Sequence, residues 1–437
     1  MTLTFIGHGY VGLVTACVFA DFGNKVFVLG HTQEKIDRLK SGDPIIYEPG
    51  LEEVLKRNLK AGRIKFTLDY EECIPYSDVI FIAVGTPMSD SGKADLNAVY
   101  DVTKKIAKSL KKGYTVVCCK STVPVGTNKK IKDLINANIK NKQIDFDSNG
   151  VEFDVASCPE FLREGSAVND TFNPDRVVIG VSSEKAKNLL LDLHKPVKGE
   201  RITTNIESAE LIKYASNAML ATKISFANLF ADLAEKSGAD VESILTAVGL
   251  DKRIGRSFLY PGIGFGGSCL PKDVNALIHI SQGLKVDSSL FKSVTKINED
   301  AKKRFIANIE KTIKPGSRIC LWGLSFKPNT DDLREAPSIY IIKSLLDKGY
   351  KLNAYDPVAN DGIRKIFKDK LNLFDDQYDA LKDCDGLCIL TEWNQFIEGD
   401  FNKIKQNLKK PIIFDGRNIF NPEKIKQLGF KYYSVGR

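Results

Sequence analysis

A glycine turn near the start of the chain constrains the fold more strongly than any other feature of the sequence. Gly7, Gly9 and Gly12 form the pattern G-x-G-x-x-G, directly after an apolar run at residues 3–6 and before a helix-like run at 13–22. Such glycines permit a tight turn between a strand and a helix, and they let the backbone approach a pyrophosphate at the N-terminus of that helix. The turn therefore predicts a Rossmann-like domain that binds a dinucleotide.

Short apolar runs alternate with helix-like stretches in two parts of the chain, which predicts parallel sheets covered by helices. The runs lie at residues 3–6, 25–29, 79–84, 115–119, 317–323, 351–355, 386–390 and 411–414. Between the two parts, residues 206–238 contain no proline and no internal glycine, and their apolar side chains fall on several faces of a helix. This pattern predicts a long helix that is buried between domains or subunits. The expected fold class is α/β, with two Rossmann-like doubly wound domains joined by a long central helical region.

The charge balance and the lack of long apolar runs argue against several classes of protein. The 437 residues include 63 basic and 55 acidic side chains, a net charge of +8 without a basic block, so we expect no nucleic-acid partner. No apolar run approaches the ~20 residues of a membrane-spanning helix, and the start lacks the pattern of a signal peptide. We therefore expect a cytoplasmic protein with no membrane partner. Four histidines and nine scattered cysteines also argue against a metal site.

The second half of the dinucleotide pattern departs from its usual form. An acidic residue about 20 positions after the glycines usually binds the adenosine ribose, but this strand ends Leu29-Gly30-His31-Thr32, without a carboxylate. Without the acid there is no repulsion of a 2′-phosphate, and His31, Thr32 and Lys35 offer it hydrogen-bond donors and positive charge. We therefore expect NADP to be accepted. Binding of NAD through Thr32 or water is the alternative.

One of the nine cysteines lies in a glycine-rich segment. Four glycines within residues 262–267 precede Cys269, and Lys272 follows it. We expect the glycines to let the backbone pass close to a ligand. Lys272 and a nearby helix start favour the thiolate form of the cysteine. The segment therefore predicts a nucleophilic Cys269, and we expect most of the other thiols to be buried as small hydrophobic side chains.

Two polar residues interrupt the apolar pattern of the central helix. Lys213 and Asn217 are four positions apart, which places their side chains on one helix face. Alone, such a pair is more often a satisfied structural contact. Beside a nucleophilic cysteine, it suggests an ammonium and an amide directed at a developing oxyanion.

Nine segments, in this order along essentially the whole chain, resemble the UDP-glucose/GDP-mannose dehydrogenase family. They are GHGYVGL (7–13), IYEPGLEE (46–53), VGTP (84–87), KSTVPVGT (120–127), PEFLREGSA (159–167), LIKYASNAMLATKISFANLFADLA (211–234), GFGGSCLPKD (264–273), GLSFKPNTDDLREAPS (323–338) and FDGRN (414–418). The resemblance implies a four-electron oxidation of UDP-glucose to UDP-glucuronate with two NAD(P)+. In that reaction Cys269 forms first a thiohemiacetal and then a thioester, which water hydrolyses.

The resemblance also implies roles for individual residues. Lys213 and Asn217 would serve the oxyanion or proton transfer, while Asp273, Thr122 and Glu160 would manage the catalytic water. The implied substrate-binding residues are Phe161, Leu162, Arg163, Glu164, Gly165, Lys213, Asn217, Arg253 of a neighbouring subunit, Phe258, Leu259, Tyr260, Pro261, Gly262, Gly266, Phe326, Lys327 at the diphosphate, and Arg417 at the sugar. Together with the glycine turn, the cofactor-binding residues are Gly7, Gly9, Tyr10, Val11, Gly12, Gly30, His31, Thr32, Lys35, Thr86, Thr122, Glu164, Lys272 and Arg334. Gly30 stands where relatives carry the ribose-binding acid.

These expectations define three domains and an oligomer. The domains are an N-terminal dinucleotide-binding Rossmann domain at 1–205, a central helical domain with the cysteine loop and a dimer contact at 206–300, and a C-terminal UDP-sugar-binding α/β domain at 301–437. We expect a homodimer or a larger homo-oligomer built on the central helix.

Several alternatives remain open from the sequence. The substrate could be GDP-mannose or a UDP-N-acetylhexosamine instead of UDP-glucose. The chain could also be a two-electron β-hydroxyacid dehydrogenase, which needs no reactive cysteine, or a silent nucleotide-sugar-binding protein. Taken singly, Lys327 and Arg334 fit a solvated charge cluster with their acidic neighbours, and Arg417 fits a turn.

Overall fold

The computed structural model describes residues 1–89, 91–140 and 150–437. The chain divides into two compact units, Met1–Ser216 and Asn217–Arg437. Each unit is described by itself below.

The first unit contains one eight-stranded sheet. Its strands are β1 (Thr2–Ile6), β2 (Lys25–Leu29), β3 (Ile64–Thr67), β4 (Val79–Ile82), β5 (Gly113–Cys119), β6 (Val151–Ser157), β7 (Arg176–Gly180) and β8 (Glu200–Thr204). Its helices are α1 (Tyr10–Asp21), α2 (Gln33–Lys40), α3 (Leu51–Lys60), α4 (Asn97–Ser109), α5 (Thr127–Lys140), α6 (Ala167–Phe172) and α7 (Glu184–Leu193). The strand order is β3-β2-β1-β4-β5-β6-β7-β8, and the first six strands of this order are parallel. This is the order of a dinucleotide-binding sheet, extended by two strands.

Helices cover both faces of this sheet, because successive strand side chains point to opposite faces and both sets are apolar. Leu3 and Phe5 of β1 pack in a core with residues of α1, α3 and α7. Ile6 packs in a second core with residues of α4 and α5. The near-continuous apolar runs of the sequence therefore correspond to strands buried on two sides.

The last two strands of the first sheet depart from the parallel pattern. β7 pairs with β6 in the antiparallel sense, at Ser157 and Gly180, and β8 then pairs parallel to β7. The connection from β6 to β7 carries the helix α6, whose six residues rise about 9 Å. A five-residue strand such as β7 spans about 17 Å. This helix is shorter than the strand, and β7 runs in the opposite direction to β6.

The second unit contains a six-stranded parallel sheet. Its strands are β9 (Arg318–Trp322), β10 (Lys351–Tyr355), β11 (Asn372–Leu373), β12 (Gly386–Ile389), β13 (Ile412–Asp415) and β14 (Lys431–Ser434), in the order β11-β10-β9-β12-β13-β14. After α8 (Ile206–Ser237), its helices are α9 (Val241–Leu250), α10 (Leu270–Gly283), α11 (Ser289–Thr312), α12 (Pro337–Asp347), α13 (Asn360–Phe367), α14 (Asn394–Ile397), α15 (Phe401–Asn407) and α16 (Pro422–Gln427). Cores on both faces make this unit a second Rossmann-like layered structure. The predicted fold class is confirmed.

The long central helix is α8, which agrees with the prediction to within one residue at its end. Gly238 follows it with φ +75°, a backbone conformation that commonly ends helices. Four apolar side chains of α8 in the second unit, Met219, Phe226, Leu229 and Leu233, are exposed in the single chain. Among the described residues, no helix combines the length and the apolar character needed to cross a bilayer.

Candidate active site

The glycine turn joins β1 to α1 as the sequence predicts. Gly7 has φ +117°, and a Cβ there would lie 2.4 Å from the carbonyl oxygen of Ala83. A Cβ on Gly12 would lie 2.1 Å from the oxygen of Gly7, so both positions require glycine for close packing. Gly9 differs, because a Cβ there would meet no atom within 4 Å.

Open space therefore lies in front of the α1 N-terminus. Gly9 is the N-cap residue, no side chain caps the helix, and its first turn carries no acidic residue. The backbone N–H groups and the dipole of a helix N-terminus favour an anion. These residues fit the pyrophosphate of a dinucleotide, with Tyr10 and Val11 half-buried in the first turn.

The remaining predicted cofactor residues of the first unit lie along the carboxyl edge of the sheet. Thr86 follows β4 and is buried, and its hydroxyl donates to the carbonyl oxygen of Thr122 at 2.9 Å. Thr122 follows β5 and is half-buried. After β2, His31 and Lys35 are exposed, and Thr32 is the N-cap residue of α2 without a side-chain capping bond.

Lys213 and Glu160 form a buried ion pair in the first unit. The Lys213 Nζ lies 3.1 Å from the Glu160 Oε1, and the two side chains are 5% and 8% exposed. The other oxygen of Glu160 accepts from the N–H of Leu162 at 2.8 Å. Lys213 also lies over the Phe161 ring at 5.3 Å, and the Arg176 guanidinium lies over the same ring at 3.9 Å. The structure thus brings together three predicted site residues, Lys213, Glu160 and Phe161.

A pocket of about 60 Å³ adjoins this ion pair within the first unit. Its lining combines apolar and polar side chains: Thr15, Phe19, Lys120, Pro159, Glu160, Phe161, Leu162, Asp170, Thr171, Pro174, Arg176, Val177, His194 and Val197. Lys120 is buried and donates to the carbonyl oxygen of Cys158 at 3.3 Å, which links the ends of β5 and β6.

The loop after β6 carries the predicted substrate residues Phe161 to Gly165. Arg163 has an exposed side chain that forms an ion pair with Asp170 at 2.7 Å. Glu164 and Gly165 are half-buried. The N–H groups of Gly165 and Ala167 donate to the buried carboxylate of Glu48 at 2.6 and 2.8 Å, which fixes the loop at the start of α6.

Glu48 and Glu210 are positioning residues that sequence reasoning missed. Glu210 is buried on α8, one turn before Lys213, and accepts from the N–H groups of Gly126 and Asn128 at 2.8 and 2.9 Å. It thereby caps α5 and holds the segment that follows Thr122. Burial raises the pKa of this carboxyl group, although its hydrogen bonds oppose the rise. Glu48 belongs to one of the segments that carry the family resemblance, but no local spacing relates either acid to its partners.

Cys269 lies at the N-cap of α10 in the second unit and is exposed. Its Sγ lies 3.7 Å from the hydroxyl oxygen of Ser268. The other eight cysteines are buried, which confirms that expectation. A helix N-terminus stabilises a thiolate, so the setting of Cys269 fits a nucleophile.

Asp273, one turn beyond Cys269 on α10, contacts two polar side chains. Asp273 is fully buried, and its two carboxylate oxygens lie 2.6 Å from the Asn217 Nδ2 and 2.5 Å from the Lys272 Nζ. The spacing of four residues places Asp273 and Cys269 on one face of the helix start. Asn217, Lys272 and Asp273 were all predicted site residues.

The glycines before Cys269 pack against the protein itself. A Cβ on Gly266 would lie 2.3 Å from the carbonyl oxygen of Glu335, one on Gly267 would lie 2.7 Å from the Phe326 ring, and one on Gly264 would meet Asn298 at 2.7 Å. These glycines let neighbouring segments approach, and the expected approach to a ligand stays a prediction. Asn298 fixes the loop, because its side-chain amide both accepts from and donates to the Phe265 backbone.

Arg417, which follows β13, holds the same loop in place through hydrogen bonds. Its guanidinium donates to the carbonyl oxygens of Leu390, Gly264 and Phe326 at 2.8, 3.2 and 3.4 Å. The buried Asp415 accepts from the Arg417 N–H at 2.9 Å and orients the turn. Contact of Arg417 with a sugar stays a prediction.

The other predicted residues of the second unit differ in exposure. Leu259, Pro261 and Gly262 are buried, Phe326 and Lys327 are half-buried, and Phe258 adopts φ +66°. Tyr260 and Arg253 are exposed, the latter paired with Asp251 at 2.6 Å. Arg334 is 60% exposed and pairs with Asp332 at 2.7 Å, as the charge-cluster alternative expects.

Three consecutive parts of the chain match one family of enzymes. Residues 1–198 match the NAD binding domain of the UDP-glucose/GDP-mannose dehydrogenase family, residues 207–300 its central domain, and residues 320–422 its UDP binding domain. The chain belongs to the UDP-glucose/GDP-mannose dehydrogenase family.

Full-length relatives and solved structures agree with this membership of the UDP-glucose/GDP-mannose dehydrogenase family. UDP-glucose 6-dehydrogenase TuaD of Bacillus subtilis is 44% identical over 100% of this chain and 93% of that protein. UDP-glucose 6-dehydrogenase of Pseudomonas aeruginosa is 42% identical over 100% and 98%. The structure of a UDP-glucose dehydrogenase from Pyrobaculum islandicum superimposes with a TM-score of 0.91 at 38% identity, covering 100% of this chain and 97% of that one. A UDP-D-ManNAc dehydrogenase from Pyrococcus horikoshii has a TM-score of 0.86 at 30% identity, covering 100% and 99%. As a member of the UDP-glucose/GDP-mannose dehydrogenase family, the protein is an NAD(P)-dependent dehydrogenase.

Proposed function

We propose that the protein oxidises UDP-glucose to UDP-glucuronate with two molecules of NAD(P)+ and Cys269 as the nucleophile. The observation that carries the proposal is the position of Cys269, the one exposed thiol among the described residues, at a helix N-terminus beside Lys272 and Asp273. Relatives named UDP-glucose 6-dehydrogenase, 41–44% identical over the full length, support the choice of substrate.

The thiol offers a route from an alcohol to a carboxylate. The nicotinamide supplies the hydride acceptor for both oxidations. After the first hydride leaves C6, the Sγ of Cys269 adds to the aldehyde carbon and forms a thiohemiacetal. Loss of a second hydride from that carbon gives a thioester. Water then adds to the thioester carbonyl, and departure of the thiolate leaves the carboxylate and free Cys269.

We propose that Lys213 and Asn217 stabilise the negative charge that develops on the substrate oxygen. In each oxidation a hydroxyl group loses its proton as the hydride leaves, so negative charge develops on that oxygen. An ammonium and an amide N–H stabilise such charge. The ion pair of Lys213 with Glu160 and the hydrogen bond of Asn217 to Asp273 hold each donor in a fixed rotamer.

We propose that Asp273, Thr122 and Glu160 bind and activate the water that hydrolyses the thioester. Asp273 is a buried carboxylate in the first turn of α10, the turn that follows Cys269. The pocket beside Glu160 is several times larger than the ~10–15 Å³ that one water requires. A carboxylate at such a position can accept the proton that water loses.

The binding residues named from the sequence complete the proposal. Lys327 would meet the diphosphate, where a cation is favourable, and Arg253 would serve a neighbouring subunit. The domain division at 205/206 and 300/301 and the cytoplasmic location likewise stay predictions.

We infer that NADP is accepted as well as NAD, since no carboxylate ends β2 to repel a 2′-phosphate. Comparison of kcat/KM for the two cofactors tests this choice, and a strong preference for NAD would contradict it.

The number of cofactors reduced per substrate tests the proposed reaction. With limiting UDP-glucose and excess cofactor, we expect two NAD(P)H per UDP-glucose and UDP-glucuronate as the product. One NAD(P)H per substrate would indicate a two-electron dehydrogenase instead. Parallel assays with GDP-mannose and UDP-N-acetylated sugars test the choice of substrate, because faster oxidation of either would reassign it.

A further inference from the structure

The edge of the first sheet at β1 and β2 contains an arrangement that the glycine turn alone does not require. Ile6 lies opposite Leu29, and the N–H of Gly7 donates to the Leu29 carbonyl oxygen at 3.0 Å. The residues that follow these two strands, His8 and Gly30, are therefore neighbours. In dinucleotide-binding sheets this edge receives the adenosine ribose.

His8 fills the space into which a side chain at position 30 would point. A Cβ on Gly30 would lie 2.8 Å from the His8 Cδ2 and 2.7 Å from the Ile36 Cδ1, which is closer than real Cβ atoms approach. A ribose-binding carboxylate at position 30 is therefore incompatible with this placement of His8. The lack of an acid at position 30 and the position of the His8 ring are linked, because an acidic side chain there would occupy the same space as the ring.

His8 also presents a polar atom on the same edge of its ring. The residue is 6% exposed, and its Nε2 has no hydrogen-bond partner among the described residues. Nε2 is bonded to Cδ2, the atom that faces position 30. A buried polar atom without a partner is uncommon, which makes this nitrogen a candidate for contact with a ligand.

Two further basic groups surround His8. The His31 ring stacks on the His8 ring, with the ring centroids 5.0 Å apart and the planes inclined by 27°. Lys35 follows on the first turn of α2. Burial lowers the pKa of His8, and the charges of His31 and Lys35 lower it further, so the three groups influence one another. Glu34 lies in the same turn, and its charge acts on Arg38.

We propose that His8 is a specificity-determining residue that replaces the ribose-binding acid and, with His31 and Lys35, receives the 2′-phosphate of NADP. The proposal rests on the proposed dehydrogenase function and adds the basis of cofactor choice. A phosphate supplies the negative charge that the basic groups of His31 and Lys35 favour, and an oxygen that can accept a hydrogen bond from the Nε2 of His8. A residue larger than Gly30 would then displace the His8 ring and the Ile36 side chain.

Binding of two nucleotides that differ only in the 2′-phosphate tests the proposal without the reaction. Titration calorimetry on the full-length protein compares adenosine 2′,5′-bisphosphate with 5′-AMP. We expect the wild type to bind the bisphosphate at least about tenfold more tightly. We expect His8→Ala and Lys35→Ala each to reduce this ratio several-fold. Lys40→Ala, which removes the same charge from the last turn of α2, is the matched control. A wild-type ratio of one, an unchanged ratio in His8→Ala, or an equal reduction in Lys40→Ala would overturn the proposal.

A second experiment tests the exclusion of a side chain at position 30. Gly30→Asp is compared in the wild type and in His8→Ala, with the melting temperature and the affinity for 5′-AMP as readouts. We expect a larger loss of melting temperature when His8 is present, and a recovery of 5′-AMP binding when it is absent. Equal losses in both backgrounds would refute the steric argument. A protein that oxidises UDP-glucose but binds both nucleotides equally contradicts this inference alone, whereas a protein that does not oxidise it contradicts the proposed function.

Discussion

The nine cysteines illustrate how local setting determines what a residue can do. Eight lie within the two layered units, and burial raises the pKa of thiols such as Cys17 to about 12. Such thiols stay protonated and act as small apolar side chains. Cys269 instead begins a helix, is exposed, and has Lys272 in the next turn. The same chemical group is therefore buried at eight positions and accessible for nucleophilic attack at one.

Replacement of Cys269 separates binding from chemistry. We expect Cys269→Ala to abolish formation of UDP-glucuronate, because the aldehyde carbon then has no thiol to capture it. Binding of UDP-glucose, measured by calorimetry, should change by less than about threefold, since the alanine removes one sulfur atom from an exposed position. Cys73→Ala, which removes a buried thiol in the first unit, is the control and should retain activity. Full carboxylate formation by Cys269→Ala would contradict covalent catalysis.

His194 makes the stability of the protein depend on pH. It is buried, its Nδ1 lies 2.7 Å from the Leu190 carbonyl oxygen, and burial lowers its pKa from 6.5 to about 4. Between these values the unfolded chain binds a proton that the folded protein does not bind. The contribution of His194 is therefore complete above about pH 6.5 and is lost as the pH falls toward 4.

Comparison with His194→Asn isolates this effect from that of the carboxylates. The asparagine amide can still donate to the Leu190 carbonyl, but it does not titrate. We expect the free energy of unfolding of the wild type to fall by about 2–3 kcal/mol more than that of the variant between about pH 7.5 and 4.5. Urea unfolding followed by circular dichroism measures the difference. Parallel pH profiles would show that His194 is not responsible.

At the residue scale, candidate catalytic residues are easier to recognise from the sequence than the residues that position them. Cys269, Lys213 and Asn217 stand out because each interrupts a local pattern. Glu48 contacts residues 117 and 119 positions away, and Glu210 contacts residues 82 and 84 positions away. No periodicity within one element relates residues so far apart, so only the fold reveals these positioning contacts.

At the scale of elements, the strands and helices follow from local patterns, whereas the reason for a glycine depends on tertiary packing. The apolar runs of the sequence correspond to β1, β2, β4, β5, β9, β10, β12 and β13. The antiparallel direction of β7 was not predicted, because it depends on how the connection after β6 folds, which no local pattern shows. The glycines near Cys269 pack against neighbouring protein segments, a reason for glycine that no local pattern supplied.

Two glycine substitutions in the second unit test this packing. We expect Gly266→Ala to lower the melting temperature by several degrees, because its Cβ would lie 2.3 Å from the Glu335 carbonyl oxygen and 2.9 Å from Pro337. Activity should fall with it, since the loop carries Cys269. Gly283→Ala is the matched control at the end of α10, where a Cβ would meet nothing within 4 Å, and it should be neutral or stabilising. Equal losses in both variants would show that the close contact is unimportant.

At the scale of the whole molecule, the two units share one architecture, a sheet with helices on both faces. Both sheets contain the order 3-2-1-4-5-6 with helices on both faces, and both were predicted from the alternation of apolar runs. This repetition is predictable because buried parallel strands need apolar side chains on two faces. The alternation of apolar runs does not show whether, or through which surface, copies of the chain would associate.

We expect a homo-oligomer, and the exposed apolar side chains of α8 predict its contact surface. Met219, Phe226 and Leu233 repeat every seven residues, and Leu229 lies between the last two, which is the spacing of a helix seam that packs against a partner helix. These four side chains are 41–62% exposed, so burying what remains of each in a dimer contact would contribute roughly half of the full-burial value, about 1 kcal/mol. We expect Phe226→Glu and Leu233→Glu to shift the molar mass, measured by light scattering after gel filtration, from an oligomer toward the 48.5 kDa monomer. Leu284→Glu, an exposed leucine beyond the end of α10, is the matched control and should leave the mass unchanged. An oligomer that survives both α8 substitutions would place the contact on another surface.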